Sequence, residues 1–277
     1  MRRPGVAMVA LAGRAIGAMV SAQVASHRLA TLITNGHDSQ WSADAIDWRG
    51  PVVVPPWYPR GTYVAAISQL YHGELATAES CRRLLAGPLG EDSDARACLE
   101  IQIHDEIRHA EVYGAYLARL GDVAPAEPAF VRLLERGRGW RDPDLGMMLA
   151  YHVLLEGEAL RIQHGFATWL PCPLFRELNA RIVVDEARHV GFGKIVLPAR
   201  LAALLAGERR ALLGWIEDIW RECVPPLMER FRVPGIMTPR ICRKWLDSRW
   251  RRQVRSFAAI GLVESRNIAI AARPRGS

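Results

Sequence analysis

Apolar residues recur at helical spacing along most of the chain, and glycines and prolines divide this pattern into segments. The pattern predicts four long helices, over residues 62–86, 95–120, 143–169 and 174–197, a short helix near 130–136, and further helices over 199–231 and 240–258. The only candidate strand, residues 52–54, lies between prolines. We therefore expect an all-α protein built around a four-helix bundle, with additional segments at both ends.

The segment before residue 62 follows a different pattern. Its first 34 residues are rich in Ala, Val and Met, and Arg14 interrupts the apolar run over 6–24, so we expect no membrane-spanning helix there. A surface helix or a loosely attached arm is the preferred interpretation, with a cleaved targeting peptide as the alternative. Prolines and glycines over 36–61 predict an extended lead-in. We thus divide the chain into an N-terminal arm and lead-in (1–61), a bundle (62–197), and C-terminal helices with a basic tail (198–277).

The second and fourth long helices carry the same five-residue motif, Asp-Glu-x-Arg-His, at residues 105–109 and 185–189. In a helix, the Glu and the His of each motif lie on the same face, one turn apart, so both side chains can bind one metal ion. The helical neighbours of Glu106 and Glu186 are largely apolar, which predicts that both pairs face the core. Because an unpaired buried charge costs several kcal/mol, something must neutralise these carboxylates.

The long helix before each motif supplies one more carboxylate at a similar distance, 32 residues before Glu106 and 30 before Glu186. Four carboxylates and two histidines on four helices are typical of a bundle that holds a pair of iron or manganese ions. We prefer Glu156 to Glu158, which lies on the other side of its helix. The alternative for both motifs is a set of exposed ion pairs with arginine. The predicted metal ligands are Glu74, Glu106, His109, Glu156, Glu186 and His189.

Three further side chains are candidates for a supporting role. Metal-bound imidazoles usually donate their other N–H group to a carboxylate. We therefore predict that Asp185 supports His109 and that Asp105 supports His189, although either aspartate could instead pair with the arginine of a motif. His152, one turn before the third glutamate, is either an additional contributor to the site or a histidine bonded to the opposite helix.

These motifs resemble those of the ferritin-like di-iron carboxylate superfamily. The resemblance covers about residues 62–197 and also rests on the Leu-Glu-Gly sequence at 155–157. It is strongest to the oxygen-activating members: the ribonucleotide reductase small subunit, the R2-like ligand-binding oxidases and the arylamine N-oxygenases. It implies one metal side of Glu74, Glu106 and His109 and another of Glu156, Glu186 and His189, with some carboxylates bridging.

One position departs from this resemblance and a second position extends it. The N-oxygenases carry an additional histidine one turn before the second Glu-x-x-His, where this chain has Ile182. Tyr113 lies four residues after His109, where the reductase small subunit keeps its radical tyrosine, although this chain is short for that subunit. Tyr113 is therefore a candidate for a redox role, with a plain core aromatic as the alternative.

The resemblance implies an O₂-dependent non-haem oxidoreductase with two iron ions, or a manganese–iron pair. Such an enzyme would hydroxylate, desaturate or N-oxygenate a small organic substrate, using electrons from an external donor of the ferredoxin or flavin-reductase type. A homodimer is compatible with this interpretation. The alternatives are a ferritin-type ferroxidase or iron-handling protein, and a tRNA- or RNA-directed di-iron hydroxylase.

Composition adds two points. The 277 residues are 50% hydrophobic with a net charge of +7, which excludes a disordered chain. Residues 240–277 hold ten arginines and lysines against two acidic residues, so the tail carries the positive excess. We expect this tail to be either a docking patch for the electron donor or a solvated helix face. Since no nucleic-acid-binding module accompanies it, we do not expect nucleic acid as a partner. Five cysteines without a C-x-x-C pair favour a reducing, cytoplasmic setting.

Overall fold

The computed structural model describes residues 23–233 and 235–272, and it contains helices and no strand over these ranges. The all-α prediction is confirmed. The first part of the expected arm and the last five residues of the tail lie outside the described residues. The helices are α1 (23–38), α2 (Arg60–Ala86), α3 (Ser93–Ala118), α4 (Pro128–Arg136), α5 (Pro143–Met147), a π-helical segment (Met148–Leu155), α6 (Glu156–Trp169), α7 (Pro173–Ala202), α8 (Ala206–Arg230), α9 (Pro239–Ala259) and α10 (Ile268–Ala271).

Two of the long helical stretches begin with a side-chain cap, at the positions that the sequence predicts. The Asp92 carboxylate accepts hydrogen bonds from the backbone N–H groups of Asp94 and Ala95 at the start of α3. The Asp142 carboxylate accepts one from Leu145, and proline occupies the first turn of α5. These caps satisfy N–H groups that have no partner within the helix, which fixes where each helix begins.

The stretch over 143–169, expected as one α-helix, contains the π-helical segment between α5 and α6. At its end, the N–H of Glu156 bonds to the carbonyl of Tyr151, five residues earlier instead of four. A π turn holds one extra residue and therefore rotates the side chains that follow it relative to an unbroken α-helix. Because Glu156 is the first residue after this segment, the π turn sets the direction in which its carboxylate points.

The predicted end of the fourth long helix at residue 197 is wrong, because α7 continues through Pro198 to Ala202. Proline removes one backbone hydrogen bond, and the carbonyl that loses its partner belongs to Lys194. Lys194 is exposed, so water can replace the lost bond. The helix therefore continues for one more turn.

Two apolar clusters fill the interior, and the charged candidate ligands lie between them. Helix α2 packs with α3, α6 with α7, and α3 with α7, while α8 contacts α4 and α9. Along α3, the buried residues before Glu106 belong to one cluster and those after His109 to the other. Helix α7 shows the same change at Glu186 and His189, with the clusters in the opposite order. The candidate ligands are therefore placed in the middle of the bundle, away from both ends.

Candidate metal centre

Six buried side chains from α2, α3, α6 and α7 form two adjoining groups of metal-ligand atoms. In each group, one ligand atom per residue lies within 4.8 Å of all the others. Glu106 belongs to both groups, so the two groups share a carboxylate. The imidazole rings of His109 and His189 are 6.0 Å apart between centroids. The first group is Glu74, Glu106, His109 and Glu186, and the second is Glu106, Glu156 and His189.

Each imidazole presents its Nδ1 atom to several carboxylates. His109 Nδ1 lies 3.6 Å from both Glu74 Oε2 and Glu186 Oε1 and 3.8 Å from Glu106 Oε2. His189 Nδ1 lies 3.1 Å from Glu106 Oε1 and 3.9 Å from Glu186 Oε2. Glu186 therefore also approaches both histidines. A nitrogen surrounded by carboxylate oxygens at these distances is the donor set that iron and manganese prefer.

Whether these residues fit a metal can be judged from their buried atoms that have no hydrogen-bond partner. Such atoms are rare in native proteins because each one costs free energy. Five of the six candidate ligands nevertheless carry one. Since these atoms converge on the same two groups, a pair of cations would satisfy them together, and the residues fit the proposed cofactor. The atoms are Glu106 Oε2, His109 Nδ1, Glu156 Oε2, Glu186 Oε2 and His189 Nδ1.

The pKa values show that the carboxylates do not share this space easily without a cation. Burial and the negative charges of Glu186 and Glu106 raise the pKa of Glu74 well above its usual range. Burial raises the pKa of Glu186 to about 7. Burial opposes the charge on His109, but its hydrogen bond to Asp185 and the neighbouring carboxylates of Glu186 and Glu74 raise its pKa well above the usual value. The repulsion among these buried carboxylates is of the kind that a bound cation would relieve.

Each aspartate of the two motifs hydrogen-bonds to the histidine of the other motif. His109 Nε2 lies 3.0 Å from Asp185 Oδ2, and His189 Nε2 lies 3.1 Å from Asp105 Oδ2. A carboxylate can only accept, so each Nε2 donates and each Nδ1 lone pair faces the candidate ligands. The structure thus brings each aspartate within hydrogen-bond distance of the histidine of the other motif. The alternative pairing coexists with it, because Arg108 and Arg188 each bridge Asp105 and Asp185.

Comparison with solved structures places this arrangement in a known fold. The structure of an R2-like ligand-binding oxidase from Sulfolobus acidocaldarius aligns with a TM-score of 0.63 over 84% of this chain and 90% of that chain, at 16% sequence identity. This chain has the ferritin-like fold. No protein-family model and no curated protein matches the sequence. Since one fold supports many reactions, the chemistry has to be argued from the site itself.

The segment between α1 and α2 contacts the candidate site from outside, which the sequence did not reveal. Trp41 Nε1 donates to Asp185 Oδ2 at 2.8 Å, and the Trp41 ring stacks on His109 with centroids 6.3 Å apart. Gln40 donates to Asp105 at 3.0 Å and accepts from Arg108 at 2.7 Å. Neither a glutamine nor a tryptophan in an irregular stretch carries a signal of such a tertiary contact, so sequence reasoning missed both residues.

Gln102 is a further site residue that sequence reasoning missed. Its Nε2 donates to Glu156 Oε1 at 2.7 Å and to Glu106 Oε1 at 3.0 Å, and it lies 3.4 Å from His152 Nδ1. One amide group therefore joins carboxylates from α6 and α3. The signal was present, because Gln102 precedes Glu106 by four residues and is the polar residue one turn earlier on the same helical face.

Two of the sequence-predicted residues, His152 and Tyr113, lie outside the two groups, as does Glu158, the glutamate that the sequence did not favour. His152 is fully buried, with Nδ1 3.3 Å from Glu156 Oε1, but it belongs to neither group of ligand atoms within the described residues. Glu158 pairs with Arg161 at 2.6 Å and with Arg249 at 2.8 Å. Tyr113 donates to Asn179 at 3.0 Å and accepts from Gln163 at 3.1 Å, and burial and the charge of Glu74 raise its pKa well above the usual value. The Tyr113 hydroxyl is therefore held as a neutral phenol.

None of the described helices combines the length and hydropathy needed to span a bilayer.

Proposed function

We propose that the protein is an oxidase or monooxygenase with two iron ions, or a manganese–iron pair, that uses O₂ to oxidise a small organic molecule. The observation that carries the proposal is the convergence of unpartnered ligand atoms from five buried side chains on two groups that share Glu106. A structural ion-pair network gives no reason for unpartnered carboxylate and imidazole atoms to converge on one place. The similarity of the fold to a protein named as a ligand-binding oxidase supports the same reading.

The two groups suggest how the ligands divide between the two ions. Glu74 and His109 occur only in the first group, and Glu156 and His189 only in the second. Glu106 is shared, and Glu186 approaches both imidazoles. We therefore propose that Glu106 and Glu186 would be the carboxylates within reach of both ions.

Charge balance favours a pair of divalent cations over a single one. Six carboxylates, those of the four glutamates and of Asp105 and Asp185, meet the guanidinium groups of Arg108 and Arg188 in this region. With neutral imidazoles, four negative charges remain, which is the number that two divalent ions neutralise. A single ion would leave two buried charges without compensation, and burying unpaired charge is costly.

The chain's own residues prepare the site in three ways. When bound, a redox-active pair of ions supplies electrons for the reduction of O₂. Asp105 and Asp185 fix the tautomer and the orientation of the two imidazoles. The apolar clusters on both sides exclude bulk water from the ligands. Tyr113 keeps its proton close to the first group, and we propose it as a candidate redox residue.

An external protein would have to supply further electrons for repeated turnover. We propose a ferredoxin or flavin-reductase type of donor, with the arginine-rich tail as its docking surface, because such a donor commonly offers acidic groups to a basic patch. We also propose that the protein acts in the cytoplasm.

Anaerobic loading with Fe(II), followed by metal analysis and O₂ uptake, tests the proposal. We expect about two irons per chain in the wild type, and oxidation of this iron with uptake of O₂. The matched variants are Glu106→Gln, at the shared ligand, and Glu111→Gln, at an exposed position of the same helix. The first variant should lose both irons and the second should keep them.

Two outcomes would contradict the proposal. One is a wild-type chain that binds no iron at neutral pH. The other is continued uptake of iron far beyond two per chain with growth of a mineral particle, which would indicate the iron-handling function instead.

A further inference from the structure

The basic helix α9 buries two polar side chains outside the candidate metal centre. Most charged residues of α9 are exposed, but Arg249 is 8% exposed and Gln253 is fully buried. Burying an amide and a guanidinium is costly unless both are well partnered. Their partners lie in the stretch around Glu156.

Gln253 contacts the π-helical segment directly. Its Nε2 donates to the backbone carbonyl of Val153 at 3.1 Å, and its Oε1 accepts from Arg161 at 3.1 Å. Val153 lies within the π segment, three residues before Glu156. π turns have poorer hydrogen-bond geometry than α-helical turns and occur mostly as single turns, so an additional donor to one of their carbonyls stabilises this conformation.

The residues that follow Glu156 are attached to the same helix. Arg249 Nε lies 2.8 Å from Glu158 Oε2, and Arg249 also donates to the Glu158 backbone carbonyl at 3.4 Å. Arg161 joins Glu158 to Gln253 through one guanidinium nitrogen. Helix α9 therefore contacts the chain on both sides of Glu156, without touching the metal-ligand groups.

We propose that Gln253 is a positioning residue for the second metal side: through Val153 it holds the π turn that directs Glu156 toward Glu106 and His189. The inference rests on the proposed function, because it needs Glu156 to be a ligand. Residues that orient a ligand in this way typically change metal affinity by about 10- to 100-fold when they are replaced. Gln253 should therefore affect one ion and not the other.

Titration of the full chain with Co(II), followed by its visible absorption, provides the test. The wild type should bind about two Co(II) ions. In Gln253→Met, which keeps the volume and removes both hydrogen bonds, we expect one of the two ions, that of the second metal side, to lose at least about tenfold in affinity, with a changed absorption spectrum. The other ion, held by Glu74 and His109, should bind as in the wild type.

Val254→Ala is the matched control, since Val254 is fully buried on the same helix and contributes packing alone. It should lower the stability of the fold and leave both Co(II) ions and their spectrum unchanged. Gln253→Glu is a second variant that keeps the contact with Arg161 but lacks the donor to Val153, and it should reproduce the loss seen in Gln253→Met.

The outcomes separate the two proposals. A wild type that binds no Co(II) defeats the proposed function. A wild type with two Co(II) ions, together with folded Gln253 variants that bind both ions normally, defeats only the role of Gln253. Loss of one ion in Val254→Ala as well would also contradict the role of Gln253, because general loosening of α9 would then be enough to explain the loss.

Discussion

At the scale of single residues, the site depends on which carboxylates are shared and which are not. Glu106 contributes to both groups of ligand atoms, whereas Glu74 and Glu156 each contribute to one. The two outer glutamates come from helices that precede the motifs, so the sequence could place them only by their spacing. Their different positions lead to different expectations for their removal.

Glu74→Gln and Glu156→Gln should each lose one metal ion and keep the other. An amide is a weaker ligand than a carboxylate, and each of these residues serves a single group. Metal analysis after loading with Fe(II) should show a fall from about two ions per chain to about one in each variant. Loss of both ions in either variant would contradict the division of the ligands.

At the scale of elements, the sequence did not predict three features. These are the end of the fourth long helix, the π segment, and the contacts made by the segment after α1. Local signals such as Asp142 with Pro143 predicted where helical stretches begin, because caps act within a few residues. A π turn over 148–155 has no such local signal, since the apolar run there suits an α-helix equally well. Gln40 and Trp41 gain their roles only from side chains far along the chain.

Replacement of Trp41 tests whether the segment after α1 supports the site. Trp41→Phe removes the donor to Asp185, so we expect a loss of about 1–2 kcal/mol in the free energy of unfolding by urea. Trp57→Phe, at a side chain that is 47% exposed in the same lead-in, should change this value by less than about 0.5 kcal/mol. Equal effects of the two changes would argue against a specific role for Trp41.

The contact between α7 and the π segment is a second element-scale feature. A Cβ atom at Gly193 would lie 2.9 Å from His152 Cβ, whereas one at Gly165 in α6 would meet nothing within 4 Å. Gly193→Ala should therefore lower the free energy of unfolding by about 1–3 kcal/mol through overpacking. Gly165→Ala should raise it by about 0.4–1 kcal/mol, since alanine restricts the unfolded chain. Chemical denaturation of both variants measures this difference, and a stabilising Gly193→Ala would show that the packing is loose.

At the scale of the whole molecule, four helices contribute buried charge to one place, and the fold has to tolerate it. The all-α bundle followed from the helical pattern and the repeated motif. The division of the six candidate ligands differs from the expected one, because Glu186 joins the group of His109 and not that of His189. The residues that surround the candidate ligands could not be predicted from the sequence. Helix α9, which the sequence marks only as basic, buries Gln253 against the π segment. Tertiary contacts of this kind depend on the packing of distant segments, which periodicity does not encode.

The stability of the whole molecule should therefore depend on metal. A ligand that binds only the folded state stabilises it by about 2.7 kcal/mol at 100 times its Kd. For a chain of this size we expect the Tm of the metal-free wild type to rise by about 5 °C when one ion binds at such a concentration. Mn(II), which does not react with O₂ in the time of a thermal scan, is a suitable ion. Glu106→Gln should show no rise, because it lacks the shared ligand, whereas Glu111→Gln should behave as the wild type. A wild-type Tm that does not respond to Mn(II) or Fe(II) would mean that protons alone balance the buried carboxylates, and the assignment of a metal centre would then fail.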